Sequence, residues 1–354
     1  MFCFKQIVPT EKDWQAIESS YDSTCFLSCG WMCGLEKIGL SPFYLAVFND
    51  DKHVGYFVGE RQWIGLRLVT SPLEGAGYSQ GLVMFSYTPA EERLTIYQAL
   101  SEWLFQNHLA VFFQVVDWQL RTDSLLWDDE KATKNVLLDK TGIQYQIRRT
   151  LHLPLTKTID ELWSGLHYKS AKYMINKAKK HGLKVQIVNR FEEIKPFIAI
   201  HYAQIKDVCK RKGVRPLVSQ RKKRLIAFCN AMFPDRVLMI KVVGPDESGV
   251  QQVMSTAVFF IDKGESIYWT GASFQCYQMF SPNELMVWEA IQILHERGSG
   301  DLNFGGSQTY KLKFGTQFAY VPRLFFAKYD CLHNVKSFAT QLYRRSRGWL
   351  VSKR

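Results

Sequence analysis

The chain reads as α/β (α+β), with one arrangement of elements used twice. Three observations predict this. In each half a meander of β-branched and aromatic segments leads into one amphipathic helix, and a further apolar segment follows that helix. The stretch between the halves has helical periodicity and is the most basic part of the chain. At 354 residues, with 47% hydrophobic and 14% aromatic side chains, there is enough apolar material for two cores of ordinary size.

In the first half, Phe43–Phe48 (FYLAVF) predicts a strand, Asn49-Asp50-Asp51 a turn, and Val54–Val58 a second strand. Apolar segments follow at Trp63–Thr70 and Leu82–Ser86. Pro89 then starts a helix with Leu94, Ile96, Leu100, Trp103 and Leu104 on its apolar side, and Leu109–Val116 is the strand after it. The second half repeats the order. Val237–Val243 is a strand, and Gly244-Pro245-Asp246 turns into Val253–Ile261. Asp262-Lys263-Gly264 then turns into Ser266–Thr270. Ser281 and Pro282 suit the N-cap and first position of a helix whose apolar residues are Leu285, Val287, Trp288, Ile291, Ile293 and Leu294. That helix stops near Gly298, and Asp301–Phe304 is a short strand. Between the copies lie a strand, Gln144–Leu153, and a helical block, Asp160–Phe233.

Within the block, Leu166–Gly182 (LHYKSAKYMINKAKKHG) predicts one helix. Tyr168, Ala171, Ile175 and Ala178 form an apolar stripe, and Lys169, Lys172, Lys177, Lys179 and Lys180 cover the rest. Gly182 is the C-terminal stop, and the lysines gather toward the end that the helix dipole makes negative. Two further cationic patches, KRKGVR and QRKKR, follow within Lys206–Arg224. The formal net charge of +12 predicts an anionic partner: nucleic acid, a phospholipid surface or a phosphate-bearing donor.

Several site classes have no support. There is no P-loop, no G-x-G-x-x-G and no H-E-x-x-H. Gly77-Tyr78-Ser79-Gln80-Gly81 fits G-x-S-x-G, but a loop precedes it and a strand follows, so it reads as a Gly-rich turn rather than a nucleophile elbow. The eight cysteines include no CxxC pair. Cys25, Cys29 and Cys33 are spaced by four with no His at a recognised spacing, so the expectation is reduced thiols and no metal. No signal peptide and no apolar run of the ~20 residues a spanning helix needs can be found. The expected location is cytoplasmic. Phe338–Arg354 reads either as a basic amphipathic segment in peripheral contact with the inner membrane surface or as a docked terminal helix.

Leu166-x-x-Lys169-x-x-Lys172-x-x-Ile175-x-Lys177-Ala178-x-x-x-Gly182 resembles the signature helix of FemABX-type transferases and of GNAT-like proteins from bacterial polysaccharide loci. Gly271-Ala272-Ser273, Ser281-Pro282-Asn283, Glu296-Arg297-Gly298, Asp301-Leu302-Asn303-Phe304-Gly305-Gly306 and Tyr310-Lys311-x-Lys313-Phe314-Gly315 follow in an order similar to that family's C-terminal half. The match is strong from about Thr150 to Phe326. The earlier part matches in outline, through Trp31, the strands and Ser71-Pro72-Leu73-Glu74-Gly75.

The resemblance implies tandem GNAT-like domains, each a mixed central sheet flanked by helices, with a cleft between them. The first would span 1–150 and the second, with the basic block, 151–325; 326–354 would pack back on the first. It also implies acyl or aminoacyl transfer to an amine or hydroxyl of a cell-wall or surface-polysaccharide precursor. No cofactor is expected beyond the acyl donor, which would be an aminoacyl-tRNA, an acyl carrier or acyl-CoA. The acceptor would be sugar- or lipid-linked. Three departures bear on this. Lys172 stands where the family often has Arg, which replaces a bidentate fork by a point charge. Asn303 stands where the family often has Asp. The loop Phe274–Phe280 lacks the glycines that let a backbone approach the pyrophosphate of acetyl-CoA, which counts against that donor. A decayed, non-catalytic module that holds RNA or an anionic carrier is the competing reading.

On this basis Lys311 and Lys313 are the cations beside the transferred carbonyl, with Tyr310 next to them. Asp117, after the strand Leu109–Val116, is either a base facing the cleft or a cap for the following turn. Lys169, Lys172 and Lys177 would hold anionic groups, Asn283 would point at a ligand from the first turn of its helix, and Tyr268 and Trp269 are cleft or core aromatics.

Overall fold

The computed structural model describes residues 1–63, 66–72, 80–123, 136–214, 218–306 and 308–329. The first lobe runs β1 (Phe2–Gln6), α1 (Glu11–Ser19), α2 (Cys29–Lys37), β2 (Ser41–Asn49), β3 (Lys52–Trp63), β4 (Arg67–Thr70), β5 (Leu82–Met84), α3 (Ala90–Gln106) and β6 (Phe112–Val116). A connecting region follows: β7 (Thr122–Asp123), α4 (Val136–Thr141), β8 (Gln144–Pro154), α5 (Ile159–Gly165), a π-turn over Tyr168–Lys172, and α6 (Tyr173–Lys180). The second lobe is β9 (Lys184–Ile187), α7 (Ile194–Arg211), α8 (Val218–Met232), β10 (Val237–Pro245), β11 (Gln251–Phe260), β12 (Glu265–Ser273), α9 (Pro282–Glu296) and β13 (Asp301–Asn303), closed by β14 (Gln317–Ala327).

The duplication expected from the order of elements is more complete than the sequence suggests. In both lobes an edge strand and two helices precede the meander. In both, the first hairpin carries one extra residue, Val54 on β3 and Met254 on β11. In both, the strands flanking the long helix run parallel, β4 beside β6 and β12 beside β13. A parallel pair needs a crossover, and α3 and α9 supply it. The basic block is therefore not wholly helical. Lys184–Ile187 pairs with β10 as β9, because Gly182 at φ +71° ends α6 and the next four residues alternate.

The lobes exchange their last strands. β8 lies against β13 of the second lobe, with Leu153 opposite Leu302, whereas β14 lies against β6 of the first, with Leu324 opposite Val115. β8 and β14 also pair with each other from Gln144–Phe325 to His152–Gln317. The described strands thus form one sheet in the order β1-β2-β3-β4-β6-β14-β8-β13-β12-β11-β10-β9, with β5 on β3 and β7 on β14. The expected domain boundaries after residues 150 and 325 fall inside β8 and β14, the two strands that join the lobes.

On the side of α2 and α8 the lobes meet in continuous core rather than across a cleft. Trp31 is fully buried, stacks on Phe228 at 4.1 Å and meets Phe260 and Trp269 edge-on at 4.9 and 5.6 Å. Gly34 permits this approach, since a Cβ there would lie 2.5 Å from the Phe228 ring. Cys25 lies in a separate 3-10 turn (Cys25–Leu27) and Cys29 and Cys33 on α2, so the three do not share one helix face.

Candidate active site

The chemistry-bearing residues of the second lobe gather where β12 and β13 end. β12 carries an extra residue, Trp269, between Tyr268 opposite Phe259 and Thr270 opposite Val258. Bulges re-aim side chains and cluster near sites. Here the bulge sends Trp269 into the inter-lobe core against Trp31, Phe26 and Phe260. Tyr268 goes to the opposite face, stacked on Phe259 at 4.9 Å. Trp269 therefore packs against the core, the second of the two readings its sequence left open, and not on a substrate-binding surface as the first would have it. His201 of α7 holds the bulge from behind, within 2.8 Å of Thr256 Oγ1 and 3.2 Å of Thr270 Oγ1. Burial pulls His201 down to about 4, so it is neutral near pH 7.

After β13 the chain turns through Gly305, at φ +66°, and enters a 3-10 turn, Thr309–Phe314, that ends at Gly315, φ +78°. A Cβ on Gly305 would lie 2.8 Å from the Tyr268 carbonyl oxygen, so both its conformation and its surroundings require glycine. Asn303 sets this corner. Its Oδ1 accepts from the Gly305 N–H and from Thr150 Oγ1, both at 2.8 Å. An amide suits this position, because the buried side chain works as a neutral acceptor.

The turn places Lys311 inside. Its residue is only 5% exposed, and Nζ donates to the Phe304 carbonyl at 2.6 Å. The amine lies 5.6 Å from the Tyr268 ring centroid and 5.8 Å from that of Tyr310. No carboxylate pairs with it among the described residues. Burial pulls its pKa down from 10.5 to about 8. Tyr310 covers the turn from outside, 56% exposed.

Lys313 points to a different partner. Its Nζ donates to Glu284 Oε1 at 2.5 Å, tying the turn to the first turn of α9. The expectation of a second free cation beside Lys311 is thus corrected: its charge is already matched. Asn283 is also engaged, donating from Nδ2 to Ser273 Oγ at 3.0 Å, and it fastens α9 to the end of β12 rather than projecting freely. Ser281 does precede α9, but at φ +59° and with no side-chain cap bond. In the loop before it, the Gln275 N–H donates to Asp207, the Tyr277 N–H to Phe274 O and the Ser281 N–H to Gln278 O. Those three amides are therefore occupied.

The lysine-rich segment abuts this turn through the His167 N–H, which donates to Lys313 O at 2.9 Å. It is not one helix. Leu166 ends α5, the π-turn follows, and α6 begins at Tyr173. Ala171, Ile175 and Ala178 are buried as the periodicity predicts, but Tyr168 is 74% exposed and outside the stripe. Lys172 Nζ donates to Ser164 O at 3.1 Å, and Lys179 pairs with Glu289 at 3.3 Å. Lys169 and Lys177 have no ion-pair or hydrogen-bond partner among the described residues.

Asp117 belongs to neither a cleft nor this site. It is fully buried in the first lobe and accepts from Arg93 Nε at 2.7 Å, Tyr97 OH at 2.6 Å and the Gln119 N–H at 2.8 Å. Arg93 also pairs with Asp22 at 2.5 Å. The base reading is overturned: every nearby donor already binds the carboxylate, and its cap on the 3-10 turn Trp118–Leu120 is the second reading of that residue. Sequence reasoning missed Glu284, Arg93 and Asp22; only the acidic first-turn position of Glu284 was a signal. It also missed Glu265, at the far end of β12, which burial pushes up to about 8 against the pull of Arg121. Among the described residues no group of His, Cys, Asp and Glu is arranged to hold a metal. No described helix is long and apolar enough to cross a membrane. Residues 77–79 of the Gly-rich motif and Phe338–Arg354 lie outside the described residues.

No protein-family model matches the sequence, and no curated protein sequence matches it. Solved structures do match in fold. The chain is similar to FemX, at 15% identity and a TM-score of 0.64, covering 90% of this chain and 96% of that one. It is similar to L-PGS from Bacillus licheniformis, at 11% identity and 0.53, covering 95% and 97%. It is also similar to a tandem GNAT protein from the clavulanic acid biosynthesis pathway, at 9% identity and 0.51, covering 93% and 99%. The chain therefore has the tandem GNAT-like fold of FemX that its motifs resemble.

Proposed function

We propose that this chain is an acyl- or aminoacyltransferase whose reacting centre is the Lys311 turn of the second lobe. The observation that carries the reading is a buried amine without a carboxylate partner, pulled down to about 8 and enclosed by Tyr268 and Tyr310. A structural lysine on a surface turn needs none of these features. Near pH 7 most of Lys311 is protonated, and in a low-dielectric site such a cation stabilises the oxyanion that forms when an amine or hydroxyl attacks an ester carbonyl. With a pKa near 8 it also passes its proton to the departing alkoxide and recovers one from the attacking group. The net result is one amide or ester formed, one ester cleaved and no proton gained or lost.

The substrate reading keeps to a donor carried on tRNA or a carrier and an acceptor in a cell-wall or surface-polysaccharide precursor. The unpartnered Lys169 and Lys177 support an anionic donor beside the turn. The occupied amides before Ser281 support a donor other than acetyl-CoA. FemX and L-PGS, named above as similar in fold, are in keeping with such a transferase. The test compares surface glycans and peptidoglycan by mass spectrometry from cells with the intact protein and with Lys311→Ala. An acyl or aminoacyl substituent should disappear in the variant, with the protein still folded. Identical products from both strains contradict the reading.

A further inference from the structure

We propose that Glu265 is a positioning residue of the reacting centre, acting on the Lys311 amine through Asn303 and one peptide plane. The inference rests on the transferase reading, since it takes the Lys311 turn as that centre. The Phe304 carbonyl that binds Lys311 Nζ and the Gly305 N–H that donates to Asn303 Oδ1 belong to the same peptide unit. That unit is planar, so the Asn303 amide, by gripping the N–H, sets where the carbonyl points. Asn303 is fully buried, and Thr150 Oγ1 donates to the same Oδ1. Its Nδ2 is also buried and has no hydrogen-bond partner among the described residues. A hydroxyl can donate or accept, so Thr150 alone does not decide which way round the amide stands. An acceptor on the Nδ2 side does.

Glu265 is that acceptor. In the parallel pair of β12 and β13, Glu265 lies opposite Asp301 and Ile267 opposite Asn303, so Glu265 and Asn303 share one face of the sheet. The Glu265 side chain is 15% exposed, and its Oε1 is buried with no hydrogen bond among the described residues. A buried donor and a buried acceptor are each costly unless matched, and here they adjoin. The Asn303 amide already pulls the Glu265 carboxyl down against burial. The other groups around Glu265 hold it less closely. Arg121 stands 3.9 Å from Oε1 and 3.6 Å from Asp301, while His152 faces Asp301 at 3.7 Å. The Asp301 and Asp262 carboxylates repel Glu265, and the buried Cys25 thiol feels both Asp262 and Glu265 from the first lobe. Burial pushes Glu265 up to about 8, so near pH 7 it is mostly a neutral acid whose carbonyl oxygen still accepts a hydrogen bond. Glu265 does not act on Lys311 by charge, since burial alone lowers that amine. Its effect passes through Asn303.

The experiment titrates lysine and asparagine side chains of the full chain by NMR. In Glu265→Leu the corner should loosen. Because burial holds Lys311 down, its midpoint should rise from about 8 toward the ordinary value of about 10.4. Glu265→Gln restores an acceptor and should recover most of what the leucine variant loses. Asn303→Leu should move the midpoint at least as far, and adding Glu265→Leu to it should add nothing, since the two act in series. In cells, the transferred substituent should fall by about tenfold to a hundredfold in Glu265→Leu, the usual size of a positioning loss. A second measurement leaves the corner packed, and it decides if Glu265→Leu does not fold. In Lys311→Met the Asn303 side-chain amide signals should move through a midpoint near 8 as Glu265 titrates, and with Glu265→Gln added they should not. The inference is overturned if the Lys311 midpoint in folded Glu265→Leu stays at about 8 or falls, if the glutamine variant loses as much as the leucine variant, if the effects at 265 and 303 add, or if the Asn303 amide does not follow Glu265. Products that do not depend on Lys311 overturn the transferase reading. Products that need Lys311, beside an unmoved midpoint in Glu265→Leu, overturn the inference alone.

Discussion

Two strand ends occupy matching places in the two lobes and are built for opposite purposes. In the first lobe β6 ends at Asp117, and Arg93 from the crossover helix α3 binds it together with Asp22. Charge is buried there, but both carboxylates are bound by the one guanidinium. In the second lobe β13 runs into Phe304 and Gly305, and the turn behind them buries Lys311 against a carbonyl and two rings, with no carboxylate among the described residues. The scaffold tolerates ions at this position in both copies. What differs is whether the ion is neutralised, and a buried ion left unmatched is the more expensive and the more reactive arrangement.

The comparison can be broken most severely at Arg93. Arg93→Met strands two buried carboxylates and should cost about 3–5 kcal/mol of stability, read by urea unfolding. A loss within about 1 kcal/mol means the network is not the lock described. Next in size, Lys311→Ala should lower transfer by roughly 10²–10³-fold, the usual effect of removing one oxyanion-stabilising donor. It should leave the unfolding midpoint unchanged or higher, because no matched charge is removed. The two lobes thus predict opposite outcomes, stability lost in one and activity lost in the other.

A finer contrast comes from pH. Lys311 is lowered by folding, so between about 8 and the ordinary lysine value the unfolded chain binds the extra proton. Stability from this group should therefore rise with pH across that window, and Lys311→Met should abolish the rise. Glu265 is raised to about 8, so its contribution has the opposite sign. That contribution is fully present below the ordinary glutamate value and fades as pH rises through about 8, an effect that Glu265→Gln should remove. Unfolding curves with no such slopes in the parent chain contradict both assignments. The smallest effect is expected on the lysine-rich segment. Lys169→Ala with Lys177→Ala should flatten the salt dependence of binding to an RNA acceptor-stem hairpin, by about 0.9 in slope for each phosphate no longer neutralised. An unchanged slope removes these lysines from the anion-binding surface.

What the sequence disclosed and what it hid follow from the range of the interactions. The meanders, α3, α9 and the stop at Gly182 depend on neighbours a few residues away, and their periodicity or turn chemistry is visible directly. The turn Gly305–Gly315 was visible as well, because its glycines and lysines are contiguous. The exchange of β8 and β14 was not, since Leu324 pairs with Val115 across more than half the chain and nothing local announces it. Asp117 stayed open between base and cap because two of the donors that engage it, Arg93 and Tyr97, come from another element, α3. Lys311 and Lys313, two residues apart, looked equivalent; only the packing of α9 shows that Glu284 neutralises one and leaves the other. Trp269 could not be divided between cleft and core because a one-residue bulge changes which face of the sheet a side chain occupies.

The contrast between a matched and an unmatched buried ion is tested most directly by titrating the Lys311 amine itself, by NMR of labelled lysine side chains with Lys311→Arg to identify the signal. The resonance should titrate near pH 8, well below the other lysines. A midpoint at the ordinary value, about 10.4, would place the amine in water and remove the reacting centre from the second lobe.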